Sequence, residues 1–275
     1  MTNTYNRYKC FSCNLPLTQY KNYYKCTDCG IIWSGQEYDK SIYNENYYQN
    51  YMRLAFTRES YALNKVRLYY VLKYVETPKK MLDYGAGAGA FIHIVKAYDK
   101  RIKILGTEVH ENRIAGIYNI NDFWEIDRGC KQYDVVTMWD VLEHVPHPWE
   151  ILLGIRSVMM PDSYLFISTP NLDARKQEEI TRWTHWKPKE HLWLYGYESI
   201  NKLLKTCGFE VIVCNTTESA FRVNRSSKYT DNIMTVIAKP IPAKEMSFKS
   251  DELKYINTQY NQLTSAVYST GQGVM

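Results

Sequence analysis

No run of apolar residues in these 275 positions approaches the ~18 that a membrane-spanning helix requires. The opening stretch, Met1-Thr2-Asn3-Thr4-Tyr5-Asn6-Arg7, holds no apolar core of a secretory signal. Neither sign of charge dominates. The 34 Lys and Arg against 29 Asp and Glu leave a net +5, spread along the chain. That balance accommodates an anionic acceptor without marking the chain as a nucleic-acid binder. Cysteine is sparse and odd in number, 7 in all. With the pairing described below, this argues against a secreted disulfide framework and for a reducing compartment. A soluble, cytoplasmic protein is expected. Hydrophobic residues make up 45 % of the chain, enough at this length for one full domain core and a small satellite. What the chain has in excess is tyrosine, 25 residues, several of them between Tyr38 and Tyr51. Tyrosine suits shallow, half-wet surfaces.

Asp83-Tyr84-Gly85-Ala86-Gly87-Ala88-Gly89 follows the apolar pair Met81-Leu82 and precedes the helical-looking Phe91-Ile92-His93-Ile94-Val95-Lys96. Strand, glycine turn, helix brings a backbone up against a nucleotide-like ligand. Gly85, Ala86, Gly87 and Gly89 are the candidate cradle, since glycine tolerates positive φ and puts no Cβ in the ligand's way. Gly85-x-Gly87-x-x-Ala90, with Glu108 further on, also fits a dinucleotide fingerprint. A dinucleotide, however, would set its pyrophosphate against Asp83. S-adenosylmethionine carries an ammonium, a sulfonium and no phosphate, so it suits an acid there. A turn that holds no ligand is the bland alternative.

Cys10-x-x-Cys13 and Cys26-x-x-Cys29 are separated by 12 residues. Two such knuckles make a closed tetrahedral zinc site of four thiolates, Cys10, Cys13, Cys26 and Cys29. A closed site leaves no position for substrate, so the zinc is expected to be structural. Too few residues surround it for an independent core, so metal would supply folding free energy. Cys130, Cys207 and Cys214 lack metal-binding spacing, and core packing is their default.

From Lys79 the chain alternates strand and helix, the pattern of a doubly wound, mostly parallel α/β sheet. Seven strands are expected, at 79–83, 102–108, about 117–121, 133–138, 163–168, 209–214 and 232–238. The segment from Tyr38 to Tyr74 reads as a tyrosine-rich linker and then a helix, the whole of 38–78 covering the cofactor or the sheet. The expected division is a ribbon at 1–37, this linker, a main domain at 79–240 and a tail at 241–275, with a short helix over 249–263 and disorder from Ser269. In such sheets ligands sit beyond the strand carboxyl ends. Glu108 would then meet the ribose hydroxyls and Asp122 the adenine amino group. Trp139 and Asp140 would lie beside the methionine portion.

The ordered set is Asp-x-Gly-x-Gly-x-Gly, an acid ending the next strand, Trp139-Asp140-Val141-Leu142-Glu143-His144-Val145, and Ile167-Ser168-Thr169-Pro170-Asn171. It resembles the class I S-adenosylmethionine-dependent methyltransferases. The likeness runs over about residues 60–240 and extends through Glu190-His191-Leu192-Trp193 to Cys207-Gly208-Phe209. It is nearest the small-molecule type that modifies ubiquinone precursors and sugars. A four-cysteine module before this fold is similar to two subfamilies. The sugar-nucleotide C-methyltransferases typically carry a further C-terminal α/β domain, which this sequence lacks. The zinc-ribbon ribosomal-RNA methyltransferases usually have a histidine where this sequence has Cys29.

Methyl transfer requires an aligned acceptor and, where needed, a base. His191 is the first candidate, against the reading that it only buttresses a loop. Glu190 beside it matches the Glu-His pair of the sugar C-methyltransferases. His144 is second, with packing or helix capping as its alternative. His185, between Trp183 and Trp186, is a candidate wall of an acceptor pocket. His147 reads as structural, and His93 and His110 as surface residues. The expected partner is a small-molecule or saccharide acceptor. A nucleic acid, met by Arg182–Lys189 and the ribbon, is the less favoured alternative, and a non-catalytic cofactor-binding protein the third.

Overall fold

The computed structural model describes residues 9–109, 116–119, 132–222 and 231–242. His110, Asp122, Cys130 and the segments expected at 249–263 and 269–275 lie outside them. The described residues up to Pro240 belong to one compact unit, and Ile241 opens a second.

Seven strands build the main sheet: β4 (Lys80–Tyr84), β5 (Lys103–Glu108), β6 (Ile117–Asn119), β7 (Tyr133–Trp139), β8 (Met159–Pro170), β10 (Phe209–Asn215) and β11 (Ile233–Pro240). Their order is β10-β11-β8-β7-β4-β5-β6. The pairs from β8 to β6 are parallel, and β11 runs antiparallel to both its neighbours. This is the doubly wound sheet read from the alternating pattern. β8 is longer than expected because it begins directly where the preceding helix ends, at Met159.

Side chains alternate across the strands, so each covers two faces. One face buries Met81, Ile104, Val135, Phe166 and Ile237 beneath helices α2 (Arg58–Tyr74) and α3 (Ala90–Tyr98), through Leu68, Val71, Phe91, Ile94 and Val95. The other buries Leu82, Val136, Met138 and Leu165 beneath α4 (Pro148–Val158) and α5 (Tyr197–Thr206). That second core also contains Cys10, Leu17, Cys26 and Ile31, so the N-terminal module packs into it.

The tyrosine-rich stretch forms two helices, where one was expected. α1 (Glu45–Ala55) starts at Asn44, whose side chain accepts from Tyr47 N. Thr57 then caps α2 by accepting from Ser60 N at 3.3 Å. A side-chain cap at that position satisfies an orphan N–H of the new helix and separates it from the old one.

The N-terminal module consists of β1 (Leu17–Tyr20), β2 (Tyr23–Cys26) and β3 (Ile32–Trp33), an antiparallel meander. Its fourth strand is β9 (Trp193–Leu194), contributed from far downstream in the sequence and paired antiparallel with β3.

Candidate active site

β4 delivers Asp83 to the start of the glycine turn. The carboxylate is buried beneath the turn and accepts from Thr137 Oγ1 at 2.6 Å. Burial pushes its pKa up to about 6, opposed by the Thr137 hydrogen bond and the Arg67 charge. Gly85, Gly87 and Gly89 all have positive φ, at 76°, 52° and 74°. At Gly85 a Cβ would meet Val141 Cγ2 at 2.4 Å, and at Gly87 one would meet the Tyr51 ring at 2.5 Å. A side chain at Gly85 would overlap the branched Val141, whereas one at Gly87 would require the far end of the Tyr51 ring to move. Ala86 N donates to Thr107 O, which ties the turn down onto β5.

Glu108 ends β5 and clamps the turn from the other side. One carboxylate oxygen accepts from Gly87 N at 2.7 Å and the other from Val109 N at 2.8 Å. Two buried donors at strand ends, Thr107 Oγ1 and Trp139 Nε1, have no partner among the described residues. Unpaired buried donors are costly and call for a ligand or water.

Asp140 follows β7 with a left-handed φ of 59°, unusual for a residue with a side chain. Its carboxylate is taken by Arg67 at 2.8 Å and by both ends of the Arg222 guanidinium. Both arginines also reach Glu218 at the foot of α6 (Ser219–Arg222). Burial opposes ionisation of Asp140, but the two guanidiniums outweigh it and hold the carboxyl well below the usual range. Nothing in the sequence marked Arg67, Arg222 or Glu218: Glu218 and Arg222 are an i,i+4 pair, but Arg67 and Asp140, which complete the network, come from two distant segments.

Two of the remaining candidates, His144 and His191, converge beyond β7, and a residue the sequence reading missed, Glu143, joins them. The Glu143 carboxylate and the two imidazoles have heteroatoms within 4.8 Å of one another. Glu143 is buried and accepts from Thr169 Oγ1 at 3.0 Å. Burial, with repulsion from Asp140, pushes its pKa up to about 8. The His144 ring meets the His191 ring edge-on at 4.7 Å and shares a 3.1 Å hydrogen bond, through Nδ1, with the Tyr43 hydroxyl. Burial and the neighbouring His191 push His144 down to about 3. His191 Nδ1 lies 2.7 Å from the carbonyl of His185. A carbonyl only accepts, so Nδ1 carries the proton and Nε2 presents a lone pair. Burial lowers the pKa of His191 as well, keeping the imidazole neutral.

His185 lies beside this cluster, its ring 6.2 Å from that of His191 and 5.1 Å from that of Trp183. Glu190 is half-buried, with its carboxylate 3.4 Å from Lys187 Nζ. His147 sits at the N-cap of α4, and His93 is exposed. Tyr47, on α1, packs edge-on against Tyr43, ring to ring at 5.1 Å. Burial and the charges of Glu190, Glu108 and Glu143 together push its phenol up to about 12. The tyrosine spacing was legible in the sequence; the contacts of Tyr43 with His144 and of Tyr51 with Gly87 were not.

Residues 53–213, more than half of the chain, match the model of a methyltransferase domain. The chain belongs to the methyltransferase-domain family. Among its curated relatives is a ubiquinone biosynthesis O-methyltransferase of Actinobacillus pleuropneumoniae serotype 5b (strain L20). It is 30 % identical over 128 residues, which cover 40 % of this chain and 55 % of that protein. The chain thus spans about half the length of such relatives. Among solved structures, a SAM-dependent methyltransferase from Archaeoglobus fulgidus superposes with a TM-score of 0.51 at 20 % identity, covering 66 % of this chain and 94 % of that one. A 1,6-didemethyltoxoflavin-N1-methyltransferase from Burkholderia thailandensis, with S-adenosylhomocysteine bound, gives 0.51 at 14 % identity over 79 % of this chain and 98 % of that one. At those identities the likeness establishes the fold.

In the N-terminal module the sulfurs of Cys10, Cys13, Cys26 and Cys29 lie within 4.8 Å of one another, with Cys10 and Cys29 at 3.6 Å. Four thiolates at ~2.3 Å from one zinc ion stand just under 4 Å apart, so the quartet has the right size. Asn14 N donates to Cys10 O and Gly30 N to Cys26 O, the turns that fold each knuckle. Without a cation, burial and a hydrogen bond to Asp28 push the Cys13 thiol up, and a hydrogen bond to Cys10 and burial do the same for Cys29. A divalent ion would reverse that.

Proposed function

We propose that this protein is an S-adenosylmethionine-dependent methyltransferase acting on a small-molecule or saccharide acceptor, with one structural zinc held by the four cysteines. The observation that carries the reading is the pairing of two half-sites at the strand carboxyl ends. One is a glycine cradle clamped by Glu108, and the other a buried, neutral Glu143–His144–His191 cluster, with Tyr47 in electrostatic reach of both.

S-adenosylmethionine, when bound, supplies an activated methyl group. The cradle of Gly85, Ala86, Gly87 and Gly89 would hold it, with Glu108 on the ribose hydroxyls and the Trp139 indole N–H free to donate. Asp83 acts from beneath the turn, as a buried acid that disfavours a phosphate there. Asp140 acts indirectly, by fixing Arg67 and Arg222 behind β7. Asp122 is the proposed partner of the adenine amino group.

His191 is the proposed proton acceptor. Its Nδ1–H is committed to the His185 carbonyl, so the Nε2 lone pair is aimed by a fixed hydrogen bond. Its lowered pKa keeps that lone pair unprotonated at neutral pH. His144, neutral and tied to Tyr43, orients the ring edge-on. Glu190, half-buried and near Lys187, would stabilise the imidazolium that forms. A carbon, oxygen or nitrogen acceptor would each fit this base. In the Arg182–Lys189 run Lys187 faces Glu190, which lowers the positive charge offered there and ranks a nucleic-acid acceptor second.

The test is titration calorimetry with S-adenosylhomocysteine on protein whose zinc has been quantified. One site and one zinc per chain are expected. Stabilisation of the fold by NADH, with no response to S-adenosylhomocysteine, would overturn the assignment. Tight, strongly salt-dependent binding of RNA would move the acceptor reading to nucleic acid. His191→Ala should retain S-adenosylhomocysteine affinity and lose turnover.

A further inference from the structure

The segment that carries His191 is held from two sides by unrelated parts of the chain. On one side Leu192 N and Trp193 N both donate to the Glu143 carbonyl, at 2.8 and 3.2 Å, and Trp193 Nε1 donates to Pro146 O. On the other side the N-terminal module takes over. Ser34 N donates to Leu192 O at 2.8 Å, Trp33 pairs with Trp193, and Ile32 with Leu194. Among the described residues β9 has no other sheet partner than β3. The next residue, Tyr195, then bridges to Asn171 beyond β8.

The module is also docked on the main fold through side chains. Phe11 stacks on Trp149 at 4.8 Å, whose ring in turn meets Trp193 of β9 edge-on at 6.0 Å, and Asp28 pairs with Lys202 at 2.9 Å. The second knuckle lies between the strands that matter: Cys26 ends β2, and only Gly30 and Ile31 separate Cys29 from the start of β3. A metal at the quartet would therefore fix the start of β3.

We propose that the four-cysteine module is a positioning element of the reaction: through Ser34 and β3 it clamps the segment 192–194 and so sets His191 against His144 and Glu143. The catalytic consequence rests on the reading of His191 as proton acceptor; the clamp itself does not. A module docked merely for stability needs no strand exchange next to a catalytic histidine. Here the exchanged strand starts two residues after it, and the carbonyl that receives Leu192 and Trp193 belongs to Glu143, another member of the cluster. Loss of metal would free one side of the segment while the seven-stranded sheet stayed intact.

The experiment follows amide hydrogen exchange across 185–196 and the NMR pH titration of the His191 imidazole. The samples are the zinc-loaded protein, the same protein after chelation, and Ser34→Pro, which deletes the clamping N–H and leaves all four cysteines. In chelated protein and Ser34→Pro, the Leu192 and Trp193 amides should exchange faster by roughly tenfold or more. His191 should titrate closer to an ordinary histidine. Met81 and Val136, in the sheet, should keep their protection, and S-adenosylhomocysteine affinity should stay within about threefold, a fraction of 1.4 kcal/mol. Ser34→Ala, which retains the N–H, should restore both readouts. Unchanged protection of Leu192 and Trp193, or an unchanged His191 titration, would overturn the proposal. So would equal loss of protection in the sheet, which would make the module a general stability element. Failure of the zinc-loaded protein to bind S-adenosylhomocysteine would count against the methyltransferase reading and leave the exchange result standing.

Discussion

Glu218→Gln removes one charge from a four-charge cluster and nothing else of comparable size. The Glu218 side chain is fully buried and accepts from Arg67 at 2.9 and 3.1 Å, from Arg222 Nε at 2.8 Å and from Thr235 at 3.3 Å. After the substitution two guanidiniums, with side chains 8 % and 20 % exposed, face Asp140 alone, which is itself 34 % exposed. Breaking a buried pair by neutralising one partner costs about 3–5 kcal/mol, because the other charge is left uncompensated. Water at Asp140 screens part of this, and glutamine keeps one carbonyl acceptor, so the lower end, about 3 kcal/mol, is expected. For a protein of this size that lowers Tm by roughly 6–12 °C. The assay is thermal and urea unfolding of Glu218→Gln beside the double variant Glu218→Leu, Arg222→Met. The double variant leaves Arg67 balanced by Asp140 and should recover much of the loss. A Tm within about 2 °C of wild type for Glu218→Gln would refute the reasoning, because the network would then be worth no more than surface pairs.

Gly85→Ala should cost about 2–5 kcal/mol, from left-handed strain plus overlap with the branched Val141 side chain, and abolish S-adenosylhomocysteine binding. Gly87→Ala should cost only about 1–2 kcal/mol, because the far end of the Tyr51 ring can move aside; equal losses in urea melts would contradict the geometry. The pH dependence has two limbs. Glu143 has a folded pKa raised to about 8, so its contribution to stability is present below the unfolded value and is lost as pH rises towards 8. Wild type should therefore lose stability relative to Glu143→Gln between about pH 5 and 8, and parallel curves would deny the buried acid. His144 and His185, depressed to about 3 and 4, contribute stability that is present above the unfolded value and lost as pH falls below about 6.5. Cys26→Ser should release one zinc per chain and destabilise the N-terminal strands; a metal-free protein with unaltered melting would dismiss the zinc site.

The seven strands, the glycine turn and the cysteine quartet were legible in the amino-acid order because each is a local pattern. Short apolar runs mark Met81-Leu82 and Val135-Val136, closely spaced glycines mark a turn, and C-x-x-C fixes two sulfurs on one knuckle. The helix break at Thr57 was legible in principle, as a threonine able to cap, but the tyrosine periodicity on either side masked it. His144 and His191 were visible as candidates, and the nearly fifty positions between them concealed that they touch; Glu143 stood only inside a motif, with nothing to mark its burial in the same cluster.

Their states were decided only by the tertiary structure. Burial makes Glu143 a weak acid and keeps the histidines neutral, and burial is set by packing, not by neighbours in sequence. The Arg67–Asp140–Arg222–Glu218 network likewise is complete only once α2, β7 and α6 are assembled: Glu218 and Arg222 are a local i,i+4 pair, but Arg67 and Asp140 reach them across the fold and leave no periodic trace. The same holds for the ribbon. Its cysteines announced a module, but only strand pairing between Trp33 and Trp193 showed that the module ends beside His191. Local chemistry thus determined what elements form, and the closing of long loops determined what those elements do to one another.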